Sequence, residues 1–466
     1  MHVSDARFLL PFPVERAAVI GPLDQWRAEL ETAGVELSGR PDVVIVRARD
    51  LDAAPADARA MVVVGGRRPP RWPHRTAVTP IPRTSDTGAL VPIGARPLAR
   101  LTTAQWAQPS TPVHHARNVV AALAMDAGLT VPGIVPLWVV SREAGPPWIL
   151  ALAAAAGLID ASRRAILVTG RPTSRSAFIV GAGDAAGGAV VKFARNPALR
   201  APFDDDDRGL QAAAAAGPVV TAHAPRLLGR FEAGPHLASV ESLLPGAELG
   251  SLLGRPARDR LIPRVEEVAA WIVAMARATA QPHETLEGER DRLRAVLEDP
   301  AAAAAAAVVP DPPPAPAVLR HGDLATWNIL LGARSFGVVD WETAVPSGYP
   351  LWDLLHFLQD ALASLEPRGG RLTREEHFVR LFRGELPTSP ILFRWVRAAV
   401  DAVGLDPATV GSIATLLWAD QAVTVTRALR QGVALDAAGG AASLHIRRLA
   451  QWTADPDLGP GWSAWR

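Results

Sequence analysis

Two short stretches carry residues whose types and spacing can do chemistry: His321-Gly-Asp-Leu-Ala-Thr-Trp-Asn328 and Gly337-Val-Val-Asp-Trp-Glu342. The first puts a carboxylate, Asp323, and a carboxamide, Asn328, on one loop. After Asn328 the chain reads as a hairpin: Ile329-Leu-Leu331, a turn at 332–335, and Phe336 to Val339 returning. If Leu331 pairs with Phe336, Asn328 faces Val339, and Asp340 lies at the same open end. One oxygen from Asn328 and one from Asp340 then suit a hard cation such as Mg²⁺, which also keeps waters and phosphate oxygens. Asp323 remains nearby to accept or orient a hydroxyl proton. These are the parts of a phosphoryl-transfer site.

Lys192, in Ala189-Val-Val-Lys-Phe193, is the only lysine among 48 Lys and Arg residues. A chain so biased towards arginine keeps a lysine where a compact ammonium differs from a planar guanidinium.

The segments HGDLATWNILL and VVDWE, followed by Gly348-Tyr-Pro350 and Asp353-Leu354, resemble the aminoglycoside phosphotransferase and choline kinase family over roughly residues 160 to 466. The resemblance implies a two-lobed protein-kinase-like fold and use of ATP with Mg²⁺ on a small-molecule hydroxyl. It assigns the catalytic role to Asp323 and the metal to Asn328 and Asp340. Lys192 falls on the third strand of the smaller lobe, against the α- and β-phosphates. Strands are expected at 165–168, 177–180, 189–193, 225–231 and 236–243. The loop 170–176 covers the phosphates, with hydroxyls of Thr173, Ser174 and Ser176. The glycine-rich stretch 181–188 becomes an exposed hairpin turn. Glu241 to Pro245 is the expected hinge whose backbone meets the adenine. The family's glutamate partner for the lysine has only Asp206 or Asp207 as a candidate, at the start of a helix near 208–216. His321 and Asp353 are expected to support the loop, Asp353 by accepting backbone N–H bonds. Trp327 and Trp341 are read as packing, and His356 and Tyr349 as structural.

The elements around these motifs set the rest of the organisation. Residues 1–155 read as a small α/β, Rossmann-like N-terminal domain, with strands near 17–21, 43–46 and 61–65 and a helix at 23–33. The turn after the first strand, Gly21-Pro-Leu, lacks the glycines a dinucleotide needs, and the segment is read as non-catalytic. His114-His115 has no partner ligands at metal-binding spacing. Residues 156–243 form the kinase-like N-lobe and 244–466 the helical C-lobe, an α+β whole. Helices are expected at 265–279, 284–298, 351–362 and 413–429, with the alanine run 301–307 and the proline-rich 310–316 as a solvated connector.

Composition bounds the partners. The 466 residues carry a net charge of +1, so no basic field points to nucleic acid. Cysteine is absent, which fits a reducing cytoplasm. No signal peptide or membrane-spanning segment is evident. The expected function is an ATP-dependent phosphotransferase acting on a sugar, amino alcohol or aminoglycoside-like hydroxyl. The alternative is a catalytically weak, pseudokinase-like nucleotide-binding or scaffold protein.

Overall fold

The computed structural model describes residues 3–21, 24–55, 57–66, 72–82, 88–92, 137–169, 175–181, 187–195, 201–234, 236–253, 258–365, 372–430 and 438–466. The chain divides into two compact units, residues 1–204 with 225–247 and residues 205–224 with 248–466.

The first unit is built on one twelve-stranded sheet. Its strands are β1 (Arg16–Ile20), β2 (Glu36–Leu37), β3 (Val43–Arg47), β4 (Ala60–Val64), β5 (His74–Pro82), β6 (Gly88–Pro92), β7 (Leu137–Ser141), β8 (Ala165–Thr169), β9 (Arg175–Val180), β10 (Ala189–Ala194), β11 (Leu227–Ala233) and β12 (His236–Ser242). They lie in the order β11-β12-β10-β9-β8-β6-β5-β7-β4-β3-β1-β2. At one end β2, β1, β3 and β4 run parallel, with the helix Asp24–Thr32 between β1 and β2. β3 and β4 are buried along nearly their whole length, which is why they read as unbroken valine and isoleucine runs. At the other end β8 to β12 form the expected five-stranded antiparallel array, in which β9 and β10 pair from Ala189↔Val180 to Ala194↔Arg175.

The segments expected as two separate domains, 1–155 and 156–243, share this sheet. β6 pairs with β8 from Gly88↔Thr169 to Leu90↔Leu167, which covers an edge that the five-stranded array alone would leave open. Their apolar side chains form one core: Val43, Ile45 and Val62 belong to the same buried cluster as Phe178, Val191 and Phe193. The residues before β1 add to it. Phe8 packs edge-on against Phe193 at 4.7 Å, and buried Asp5 pairs with Arg195 at 2.7 Å.

The second unit is mainly helical. Its helices include Ile262–Thr279, Glu287–Leu297, Trp352–Leu365, Arg374–Arg383, Ser389–Val403, Val410–Arg430 and Ala438–Ala454. No described helix is long and apolar enough to cross a membrane. The alanine run departs from expectation. Alanine is the best helix former, and residues 300–306 wind into a short helical turn with Ala302 and Ala305 buried. The proline stretch after it supplies fixed carbonyls: Tyr349 donates to Pro313 O at 2.6 Å and Arg290 to Pro312 O at 3.1 Å. His114 and His115 lie outside the described residues.

Candidate active site

The segment that carries the candidate site residues Asp323, Asn328 and Asp340 lies wholly in the second unit, between the strand Val318–Arg320 and the helix Trp352–Leu365. The hairpin register is the one the sequence predicts: Leu331 pairs with Phe336 and Ile329 with Val338, and Val339 N–H donates to Asn328 O at 3.0 Å. Asp340 therefore begins where the ladder ends, beside Asn328. The hairpin is itself clamped. His223 stacks on Phe336 at 4.1 Å, its Nδ1 lies 2.9 Å from Phe336 O, and its carbonyl accepts from Val338 N–H at 2.7 Å.

Asn328 ties the two ends of the loop together. Its Nδ2 donates to Asp323 O at 2.8 Å and to Asp323 Oδ2 at 3.1 Å. Trp327 Nε1 reaches the same Oδ2 at 3.4 Å. Asp323 Oδ1 receives no hydrogen bond from a described residue, so the carboxylate is held through Oδ2. Because the amide nitrogen of Asn328 is engaged, its Oδ1 is the atom left to act as a ligand.

Asp340 stands at φ 68° and ψ 62°, one of two described non-glycine residues in the left-handed region. Aspartate tolerates that region better than most residues, but it still costs energy, and such strain collects at functional positions. The close approach of neighbours explains how it is held. Gly209, on the helix Ala201–Ala215, lies against the carbonyl of Trp341, where a Cβ would collide. Trp341 is fully buried, donates Nε1–H to Val338 O at 2.9 Å and packs 4.8 Å from His321.

His321 holds the loop, as expected. Its backbone N–H and that of Gly322 donate to the two oxygens of Asp353 at 2.7 and 2.9 Å. Its Nδ1 accepts from Asp323 N–H at 3.4 Å while Nε2 sits 3.0 Å from Val339 O, which places the ring proton on Nε2. Gly322 has φ 90°, and a Cβ there would lie 2.6 Å from Thr343 O, so no other residue fits without a shift. Beneath the loop, buried Glu289 binds Arg320 at 2.6 Å and Arg292 at 2.8 Å. Burial acts to raise the Glu289 pKa, but the Arg292 hydrogen bonds and the Arg320 charge outweigh it, and the group stays below the usual carboxylate range.

Asn328 Oδ1 and the Asp340 carboxylate are a donor set that fits Mg²⁺: hard oxygens, few in number, leaving room for water and phosphate. No group of three His, Cys, Asp or Glu side chains suited to a softer or fully caged metal occurs among the described residues.

In the first unit, Lys192 Nζ makes an ion pair with Glu241 at 2.5 Å. The register explains it. Lys192 pairs with Ser239 and Val190 with Glu241, so Lys192 and Glu241 are diagonal neighbours on one face of the sheet. This corrects the expected hinge role of Glu241. It lies inside β12, flanked by Val190 of β10 and Leu227 of β11, so its backbone belongs to the ladders while its carboxylate serves the lysine. Asp206 and Asp207, the two residues expected to partner the lysine, are both buried on the helix Ala201–Ala215 and fall in the second unit.

Ser176 also departs from expectation. It belongs to β9 rather than the loop before it, and pairs with Phe193 while Ala177 pairs with Lys192. Side chains alternate along a strand, so Ser176 faces the Phe178 and Phe193 side, away from the lysine. It is buried, and its hydroxyl has no hydrogen-bond partner among the described residues. Thr173 and Ser174 lie outside the described residues.

Two further residues escaped the sequence reading. Asp360 accepts from Thr326 N–H at 3.0 Å and from its hydroxyl at 2.5 Å, pinning the middle of the loop. The signal was present: Asp353, His356 and Asp360 recur at i, i+3 and i+7 on a largely apolar helix. Trp327 was expected to pack like Trp341, yet it is 43% exposed.

Comparison with known proteins adds the following. Residues 170–385 match the model of APH, the phosphotransferase enzyme family. No curated protein matches the chain. Among solved structures, a choline/ethanolamine kinase family protein from Mesorhizobium loti is 16% identical, covering 62% of this chain and 89% of that one with a TM-score of 0.37. A glucosamine kinase is 17% identical over 84% of this chain and 93% of its own, with a TM-score of 0.35. The aminoglycoside phosphotransferase APH(2'')-Ib, ADP-bound, is 10% identical over 65% and 96%, with a TM-score of 0.32. Likeness at those scores is too loose to bear on residues, so the assignment rests on the motifs and the family match. Over residues 170–385 the chain is similar to the phosphotransferase enzyme family.

Proposed function

We propose that this protein transfers the γ-phosphoryl group of ATP to a hydroxyl group of a small molecule. The observation that carries the reading is the loop itself. Asp323 is fixed through one oxygen by Asn328, and the hairpin register brings the Asn328 side chain and the Asp340 carboxylate to the same end, where hard oxygens suit a cation.

Asp323 Oδ1 accepts the hydroxyl proton as the acceptor oxygen attacks the γ-phosphorus. The bond from phosphorus to the β–γ bridging oxygen breaks, and ADP leaves. Mg²⁺, when bound at Asn328 and Asp340, neutralises charge on the phosphates. Lys192 neutralises the α- and β-phosphates as a point charge, and Glu241 fixes where that charge sits. The protein's share of catalysis is then positioning and electrostatics.

The test is ADP release from MgATP over a library of hydroxyl compounds that includes choline, ethanolamine, glucosamine and an aminoglycoside. Acceptor-dependent ADP release that Asp323→Asn abolishes supports the reading. Tight MgATP binding with no turnover on any acceptor would favour a nucleotide-binding or scaffold role instead.

A further inference from the structure

We propose that Trp327 and His356 form the acceptor subsite, and that it takes the ring of a neutral polyhydroxylated compound such as a pyranose. The inference rests on the phosphotransferase reading and narrows its acceptor class.

Trp327 is the one strongly exposed aromatic side chain among the described residues. Burying a large apolar side chain contributes roughly 1.5–3 kcal/mol, so a ligand that covers this ring gains part of that contribution. The indole is not loose. Its Nε1 is anchored on Asp323 Oδ2 at 3.4 Å, and its ring meets the His356 ring edge-on at 6.1 Å and 73°. It is thus a fixed apolar surface attached to the carboxylate that receives the acceptor's proton. The C–H face of a sugar ring fits such a surface, with a hydroxyl at its edge directed to Asp323.

His356 supplies the second observation. It is 9% exposed, and its Nδ1 has no hydrogen-bond partner. A buried polar group left unpaired costs about 1–3 kcal/mol, and a second ligand hydroxyl beside Trp327 would relieve that cost.

His445, on which both His356 and Arg448 act, brings the charges of this region into the choice of ligand. Arg448 is buried, donates Nη1–H to Gln359 Oε1 at 3.1 Å, and has no hydrogen-bond partner at Nε. Burial, and then the Arg374 charge, push its pKa down to about 10, with Asp360 and Glu375 acting in the other direction. Burial, then Arg448, then His356 hold His445 down at about 4, so it is neutral. Asp360 and Glu375 act as counter-charges to Arg448, so an ammonium finds no carboxylate there that is not already engaged with a guanidinium. An anion is not required either, because Asp360 and Glu375 already offset that charge.

The experiment measures ADP release at saturating MgATP with D-glucose, D-galactose, N-acetyl-D-glucosamine and myo-inositol. Choline, ethanolamine and D-gluconate serve as charged counterparts. We expect a neutral compound to be the better acceptor. Trp327→Ala should raise its KM at least about tenfold, with a smaller change in kcat and no change in the KM for ATP. Trp327→Phe should restore part of the loss, and His356→Gln should do less harm than His356→Leu. A preference for a charged acceptor overturns the inference while leaving phosphoryl transfer intact, as does no response to any neutral compound by an enzyme that binds MgATP. So does a Trp327→Ala variant whose acceptor KM is unchanged or whose ATP KM rises in parallel. Absence of MgATP binding by calorimetry removes the underlying phosphotransferase reading instead.

Discussion

The loop proposed to be catalytic, around Asp323, and the strand that carries Lys192 are held in place by different kinds of neighbour. Around Asp323 almost every constraint is a polar contact made within about forty residues of sequence: Asn328 to Asp323, Thr326 to Asp360, and His321 and Gly322 to Asp353. Around Lys192 the constraint is strand register, with Ala177 on one side and Ser239 on the other, and Glu241 on the diagonal. The loop's geometry is written in residue types and short spacings. The strand's geometry depends on how separate segments align, and a one-residue shift would put every side chain on the other face.

The largest expected effect tests the loop. Asp340→Asn keeps a residue tolerated in the left-handed region but removes the only negative charge in the proposed cation pair. Turnover should fall on the order of a hundredfold or more, with an unchanged circular dichroism spectrum and melting temperature. Normal turnover at saturating Mg²⁺ would sink the metal assignment.

The strand comes next. Lys192→Arg conserves charge but replaces a point ammonium with a wider planar group, and kcat should drop by about tenfold. Glu241→Gln leaves the ammonium without its counter-charge and should cost nearly as much. If the pair acts as one unit, the double variant is little worse than either single. Fully additive losses in ATP affinity and kcat would mean that Glu241 does not act through Lys192.

This contrast explains what could be read from the sequence. The hairpin from Ile329 to Val338 and the role of Asp353 follow from short motifs with fixed offsets. The five strands β8 to β12 were legible to within about two residues, because each is an apolar run bounded by glycine, proline or polar residues. Which residues those strands set side by side was not. Glu241 and Ser176 each lie close to an expected position, yet the pleat turns one towards the lysine and the other into the core. The joining of the N-terminal segment to β8 through β6 is a contact between residues some eighty apart, and no local pattern announces it.

A smaller effect separates support from chemistry in the loop. Asp353→Asn keeps the shape but removes the charge that accepts two backbone N–H groups. Hydrogen bonds to charged groups contribute about 1.5–3 kcal/mol each, so urea denaturation should show a loss of that order. The KM for ATP should rise less than kcat falls, because the displaced element carries Asp323. Unchanged stability would show that Asp353 is dispensable to the loop.

The smallest expected effect bears on the strand again, at Ser176. Its hydroxyl is buried, faces the Phe193 side of the sheet and has no partner among the described residues. Burying an unpaired hydroxyl is unfavourable by about 1–3 kcal/mol on mutational scales. Removing it leaves only a small change in packing volume. Ser176→Ala should therefore be neutral or stabilising by up to about 1 kcal/mol, with the KM for ATP unchanged. The result discriminates between two registers of β9. In the observed register the alanine variant binds ATP normally. If its ATP affinity instead falls severalfold while stability is untouched, Ser176 faces the nucleotide, and β9 is shifted by one residue against Lys192.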